Sequence, residues 1–159
     1  MTLEERVERI ICASEVELAG EAYILNNLRK IYTNLSTGNK ITLSHNSAGK
    51  LALHWKDGEA YQKSIAHVPR IIESMQFLEE MKPDKEGASF ENYSYYITPA
   101  NIASESYTIL STVGRVEQEI YYDHNIFKGT PAEVFAKAKS ETSDKKYHRL
   151  NKILQDTKG

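Results

Sequence analysis

The run "GRVEQEIYYDHN", residues 114 to 125, gathers Glu117, Glu119, Asp123 and His124 within eight positions, beside Tyr121 and Tyr122. Carboxylates and an imidazole at that density could ligate a metal or share acid–base work. His45 and His67 offer a second possibility. They could meet if the chain between them folds as a meander, forming an acid–base pair of the kind small nucleases and phosphodiesterases use, with Lys50 or Arg70 holding phosphate. The five histidines, which include His54, His124 and His148, show no HExxH, HxH or Cys/His zinc spacing. "SHNSAGKL" shares Gly49-Lys50 with a phosphate-binding loop, but Ser44 and Leu51 stand at two of that motif's fixed positions. No metal and no cofactor is expected.

Alternation accounts for the first cluster without chemistry. With Gly114-Arg115 as a two-residue turn, Val113 pairs with Val116, Ile109 with Ile120 and Tyr107 with Tyr122, all on one apolar face. Glu117, Glu119 and Asp123 then share the opposite, solvated face, and His124 continues the apolar one at its frayed end. Tyrosine is the unusual residue type: ten, against four phenylalanines and one tryptophan. Tyr93 and Tyr95 alternate with Tyr96, and Tyr121 with Tyr122, so some should be exposed whichever face is core. Tyrosine supplies contact area at low entropy cost and carries a polar tip, which suits a binding surface. Tyr95, Tyr96 and Tyr121, with Lys50 and Arg70, are the expected binding residues.

The elements that would position these groups follow from periodicity. Thr2 with Glu5 is a capping box, and Leu3, Val7, Ile10 and Ile11 share a helix face. Ser14 with Glu17 repeats the signature ahead of Leu18, Ala22, Leu25, Leu28, Tyr32 and Leu35, so two helices, or one bent helix, are expected over 2–36. Period two then takes over. Ile41 and Leu43 alternate and would face Trp55 and Leu53, and Asp57-Gly58 signals a hairpin, giving a three-stranded meander over about 40–67. Tyr61, Ile65 and Val68 in its third strand also fit a helix. Pro69 opens a helix whose stripe is Ile72, Met75, Leu78 and Met81. "FENYSYYI", "ESYTILSTV" and "RVEQEIYYDH" read as a second meander over about 89–124, although Thr98-Pro99 could instead start a helix there. Thr130, Pro131 and Glu133 open the last helical region, which Ser143 recaps.

The expected fold is α+β: antiparallel sheet from two three-stranded meanders, packed with N-terminal, central and C-terminal helices in one domain over 1–159. Residues 15–81 taken alone are similar in element order to double-stranded-RNA-binding domains. The helix "PRIIESMQFLEEMK" presents Glu73, Glu79 and Glu80 where that family presents lysines, so nothing more is carried over.

At 159 residues the chain can bury a core of its own, and 40% hydrophobic with 26% charged residues is ordinary globular composition. Glu4, Glu5 and Arg6 stand where a signal peptide needs an apolar core, no apolar run spans a bilayer, and one cysteine, Cys12, excludes an internal disulfide. A cytoplasmic protein with no membrane contact is expected. Net charge is −2, but residues 1–21 carry six acids against two arginines and residues 128–159 carry eight bases against four acids. The basic C-terminal helix could meet nucleic acid or a nucleotide. The leading expectation is a non-catalytic protein acting on a protein partner, as an inhibitor, immunity protein or phage antagonist does. The histidine-dependent hydrolase or phosphodiesterase, and a nucleotide or small-ligand binder, are the alternatives.

Overall fold

The computed structural model describes residues 1–18, 31–43, 45–82, 92–116, 119–140 and 144–155. In chain order the elements are α1 (Leu3–Cys12), β1 (Val16–Glu17), β2 (Ile31–Thr33), β3 (Lys40–Thr42), α2 (His45–Leu53), a 3-10 turn (Trp55–Asp57), α3 (Glu59–Ala66), α4 (Val68–Ser74), β4 (Gln76–Met81), β5 (Asn92–Ile102), β6 (Glu105–Val116), β7 (Glu119–Lys128), α5 (Pro131–Lys139), a second 3-10 turn (Lys145–Tyr147) and α6 (His148–Gln155). The fold is α+β. Its centre is one five-stranded mixed sheet. β5, β6 and β7 run antiparallel, and the outer side of β5 is shared by antiparallel β4 along residues 93–97 and by parallel β1 at Ala100 and Asn101. Pro99 falls between those two partners, where its missing N–H removes no ladder bond. The alternative of a helix starting at Thr98-Pro99 is therefore not what the chain adopts.

Both faces of the sheet are covered. Tyr96, Ile109, Val113, Tyr122 and Ile126 pack one face against Leu51, Tyr61, Ile65 and Ile72 from α2, α3 and α4. Tyr95, Ile97, Leu110 and Phe127 pack the other against Val7, Ile10, Val134, Leu150 and Ile153 from α1, α5 and α6. The capping signal at 130–133 acts as read, Thr130 and Glu133 forming a reciprocal box, while at 2–5 the structure shows one half of it, Thr2 Oγ1 accepting from the Glu5 N–H.

Several expectations are corrected. The first of the two helices expected over 2–36 forms as α1 and ends at Cys12. The second is overturned at its described ends, residues 19–30 between them lying outside the described set: Val16–Glu17 is strand, and Ile31–Thr33 pairs antiparallel with β3. Asn34 is buried there, donating from Nδ2 to the Ile72 and Met75 carbonyls at 2.8 Å each, while Gly38 (φ 76°) completes the turn; Leu35 is 80% exposed, off any core stripe. The first meander keeps only its opening strand. Ile41 and Leu43 are buried, but 45–53 and 59–66 are helical because Ser47 with Leu51, then Tyr61, Ile65, Val68 and Ile72, recur at helical spacing toward the core. Leu53, expected opposite Leu43, is 78% exposed; the side chain of Trp55 lies outside the described set. The helix–three strands–helix order over 15–81 is consequently not formed. Gly58 does mark a turn (φ 115°), at the junction into α3 rather than in a hairpin.

The stripe after Pro69 is divided between two elements. Ile72 and Met75 enter the first core from α4, while Leu78 enters the second from β4, past a register shift between Phe77 and Glu79. The strands of the second expected meander belong to the mixed sheet, and Gly114 lies within β6 rather than at a turn. Ile109 pairs with Ile126 instead of Ile120, and Val113 with Tyr122 instead of Val116. The offset of six is even, so every residue keeps its expected face although no expected partner is right.

Candidate functional site

One polar group of the sheet is fully buried. His124 sits mid-strand on the face that meets α3, 1% exposed rather than at a frayed end. Its Nε2 lies 2.8 Å from Ser64 Oγ and its Nδ1 2.9 Å from the Tyr122 hydroxyl, which lies 3.0 Å from Ser111 Oγ. Ser64 uses its only proton on the Tyr61 carbonyl at 2.6 Å, so it accepts from His124 Nε2–H. Neutral His124 then accepts at Nδ1 from Tyr122 O–H, which in turn accepts from Ser111. The result is a one-way chain from β6 through β7 into α3. Burial, with His54 nearby, pulls the His124 pKa down to about 3, and burial drives the Tyr122 phenol upward. Ser64, Ser111 and Tyr122 are as sealed as His124, so this chain orders the core and meets no substrate.

The opposite face of the same strands is different. There the cross-strand rungs read Tyr93, Gly114, Tyr121, then Tyr95, Thr112, Asp123, then Ile97, Leu110, Asn125. The α1, α5 and α6 layer buries Ile97 and leaves a depression of about 230 Å³ over the first two rungs that reaches Leu110 and exposed Asn125 of the third. Tyr93 and Tyr121 are half-buried at its sides, and Gly114 between them supplies no side chain. Tyr95, 2% exposed, stacks on Tyr93 with ring centroids 6.4 Å apart. Two cations reach the site from different layers. Lys50 Nζ of α2 lies 5.7 Å from the Tyr121 ring centroid, and Arg149 Nη1 of α6 donates to the Tyr95 hydroxyl at 3.4 Å. Burial raises the Asp123 carboxyl above the ordinary carboxylate range, against the lowering pull of the His124 N–H, His54 and Lys50.

Of the expected binding residues, the fold thus gathers Lys50, Tyr95 and Tyr121, with Tyr95 as floor rather than exposed anchor. Tyr96 is 1% exposed on the other face, edge-on to Phe77 at 5.6 Å, because helices cover both faces of β5. Arg70 donates to the Glu17 carbonyl at 3.0 Å and ties α4 to β1. Glu117 and the side chains of Glu119 and His45 lie outside the described set, so the pairing of His45 with His67 does too; His67 is half-buried and ends α3. Among the described residues no group of three or more His, Cys, Asp or Glu is placed to hold a metal, and no helix is long and apolar enough to cross a membrane. Arg149 was visible in the sequence only as one of many C-terminal bases, and Gly114 only as a turn.

Residues 16–122 match the family model described as large polyvalent protein-associated domain 3. The chain belongs to that family. The matched residues carry the sheet through Tyr122, the α2–α4 layer and the tyrosine–glycine rung; α1, α5, α6 and Arg149 fall outside them. Neither a curated protein nor a solved structure matches the chain.

Proposed function

We propose that this member of the large polyvalent protein-associated domain 3 family is a non-catalytic binding domain that acts on a protein partner in the cytoplasm. The observation that carries this reading is the division of the polar chemistry between the two faces of β7. Its histidine chain is sealed, whereas the tyrosines and cations converge on an opening. Tyrosine and arginine are the types that dominate binding hot spots, because each combines a large contact surface with a polar end. The family description, large polyvalent protein-associated domain 3, names association with other protein and so supports a binding reading. An inhibitor or antagonist works by the same means.

The test is capture from host cytosol on the immobilised chain, with Tyr121→Ala and His67→Ala compared side by side. A retained protein lost with Tyr121→Ala and kept with His67→Ala is the expected result. Dependence on His67 instead, with Tyr121 irrelevant, would favour the hydrolase.

A further inference from the structure

The rung Tyr93–Gly114–Tyr121 has a spacing that selects what can enter it. Neighbouring strands are roughly 4.8 Å apart, so the two tyrosines rise from backbones about 9.6 Å apart with a glycine midway. A guest ring standing over Gly114 would lie about 4.8 Å from each side, within the roughly 4.5–7 Å at which aromatic rings favour one another. A side chain at position 114 would occupy that place. The slot is therefore shaped for something flat.

Charge narrows the class further. Lys50 and Arg149 stand at the walls, and the exposed stretch beside Arg149 continues with Lys145, Lys146 and Lys152, with no acid from 145 to 152. Outside the depression, Lys146 Nζ lies 4.9 Å from the Phe127 ring centroid, with Asp57 and Asp144 also acting on it, and Lys137 Nζ lies 4.7 Å from that of Tyr147. Asp123 on the second rung and Asn125 on the third add a carboxylate and an amide to the lining, away from the Tyr93–Gly114–Tyr121 rung. A ring with negative charge on both sides of it complements this arrangement.

We infer that the depression receives an aromatic side chain flanked by carboxylates, presented by an extended acidic segment of the protein partner. This rests on the reading above that the domain binds a protein. The ring fills the slot over Gly114, one flanking carboxylate reaches Lys50, and the other reaches Arg149. A peptide is favoured over a nucleotide because cations stand on two opposite walls, whereas a mononucleotide carries its phosphate on one side of its base.

The experiment is amide-resolved NMR titration of the full chain with four probes: acetyl-Glu-Trp-Glu-amide, its Lys-Trp-Lys and Glu-Leu-Glu counterparts, and adenosine monophosphate. The acidic tryptophan peptide is expected to shift the amides of Tyr93, Gly114 and Tyr121 saturably, at least tenfold more tightly than the other three. Gly114→Val should abolish the shifts, and Lys50→Gln or Arg149→Gln should weaken binding about tenfold. If Gly114→Val does not fold, Tyr121→Leu, which keeps bulk but removes the ring, takes its place. Equal binding of Glu-Leu-Glu, equal or tighter binding of the nucleotide, or shifts confined to other regions would overturn the proposal. Tyr121-dependent protein capture that persists when the peptide fails would sink this inference alone; loss of both sinks the binding reading as well.

Discussion

Ser64 has no proton left to give, so His124 Nε2 is the donor and the tautomer is fixed, while burial first and His54 second keep the imidazole neutral. That makes it a source of acid sensitivity with a definite sign. The unfolded imidazole takes a proton near pH 6.5, while the folded one resists until about 3, so stability is complete above 6.5 and falls as pH drops toward 3. The expected slope is about 1.4 kcal/mol per pH unit, or roughly 2 kcal/mol between pH 7 and 5. Asp123, with its raised pKa, contributes the opposite slope, so the difference between wild type and His124→Gln isolates the histidine. Chemical denaturation at pH 7, 6 and 5 should show a stability loss in wild type that the glutamine variant lacks; parallel curves would mean the chain is misassigned. Tyr122→Phe removes the donor to Nδ1 and the acceptor for Ser111, and should cost about 1–3 kcal/mol at pH 7 by the same measurement. Alternation alone placed His124 on the apolar face. Nothing local in the sequence could pair it with Ser64, sixty positions earlier and on a segment whose period was misread.

At the scale of elements, β7 ends the sheet and must deal with an open edge. Two successive outward amides are satisfied by side chains. Tyr122 N–H donates to Ser47 Oγ of α2 at 3.0 Å, and His124 N–H to its neighbour Asp123 Oδ1 at 2.9 Å. The helix that replaces the expected second strand of the first meander therefore protects an edge that a strand would have extended. Ser47→Ala leaves a buried amide unpaired and should cost about 1–3 kcal/mol. Hydrogen exchange should show faster loss of protection at Tyr122 than at interior Val113; unchanged protection would show that water or another group serves as well. The faces of β6 and β7 were legible because alternation survives an even register error. The register itself was not, because glycine at 114 was read as supplying turn geometry when it leaves space on a sheet. Likewise Leu51, Leu53 and Trp55 alternate by chance within a helical segment, and only the burial of Leu51 against the exposure of Leu53 resolves it.

For the whole molecule, the two layers over the sheet carry different duties. The α2–α4 side holds the histidine chain and lies within the family match, while the α1, α5 and α6 side lies outside it and leaves the depression open, with Arg149 on its border. Scaffold and site can be separated within α6 itself. Ile153 is fully buried in the second core, so Ile153→Ala should cost roughly 2–5 kcal/mol of stability. Its effect on binding should then track the folded fraction alone. Arg149 is exposed and one turn away, so Arg149→Gln should change stability by no more than about 0.5 kcal/mol while weakening partner binding. Raising salt from 0.05 to 0.5 M should weaken wild-type binding and bring it toward the Arg149→Gln value, because charges at the mouth of an open site are screened. Thermal melts beside affinity measurements on the three proteins decide the matter. If Ile153→Ala impairs binding while still folded and Arg149→Gln does not, the terminal layer acts through shape, and the cationic wall is incidental.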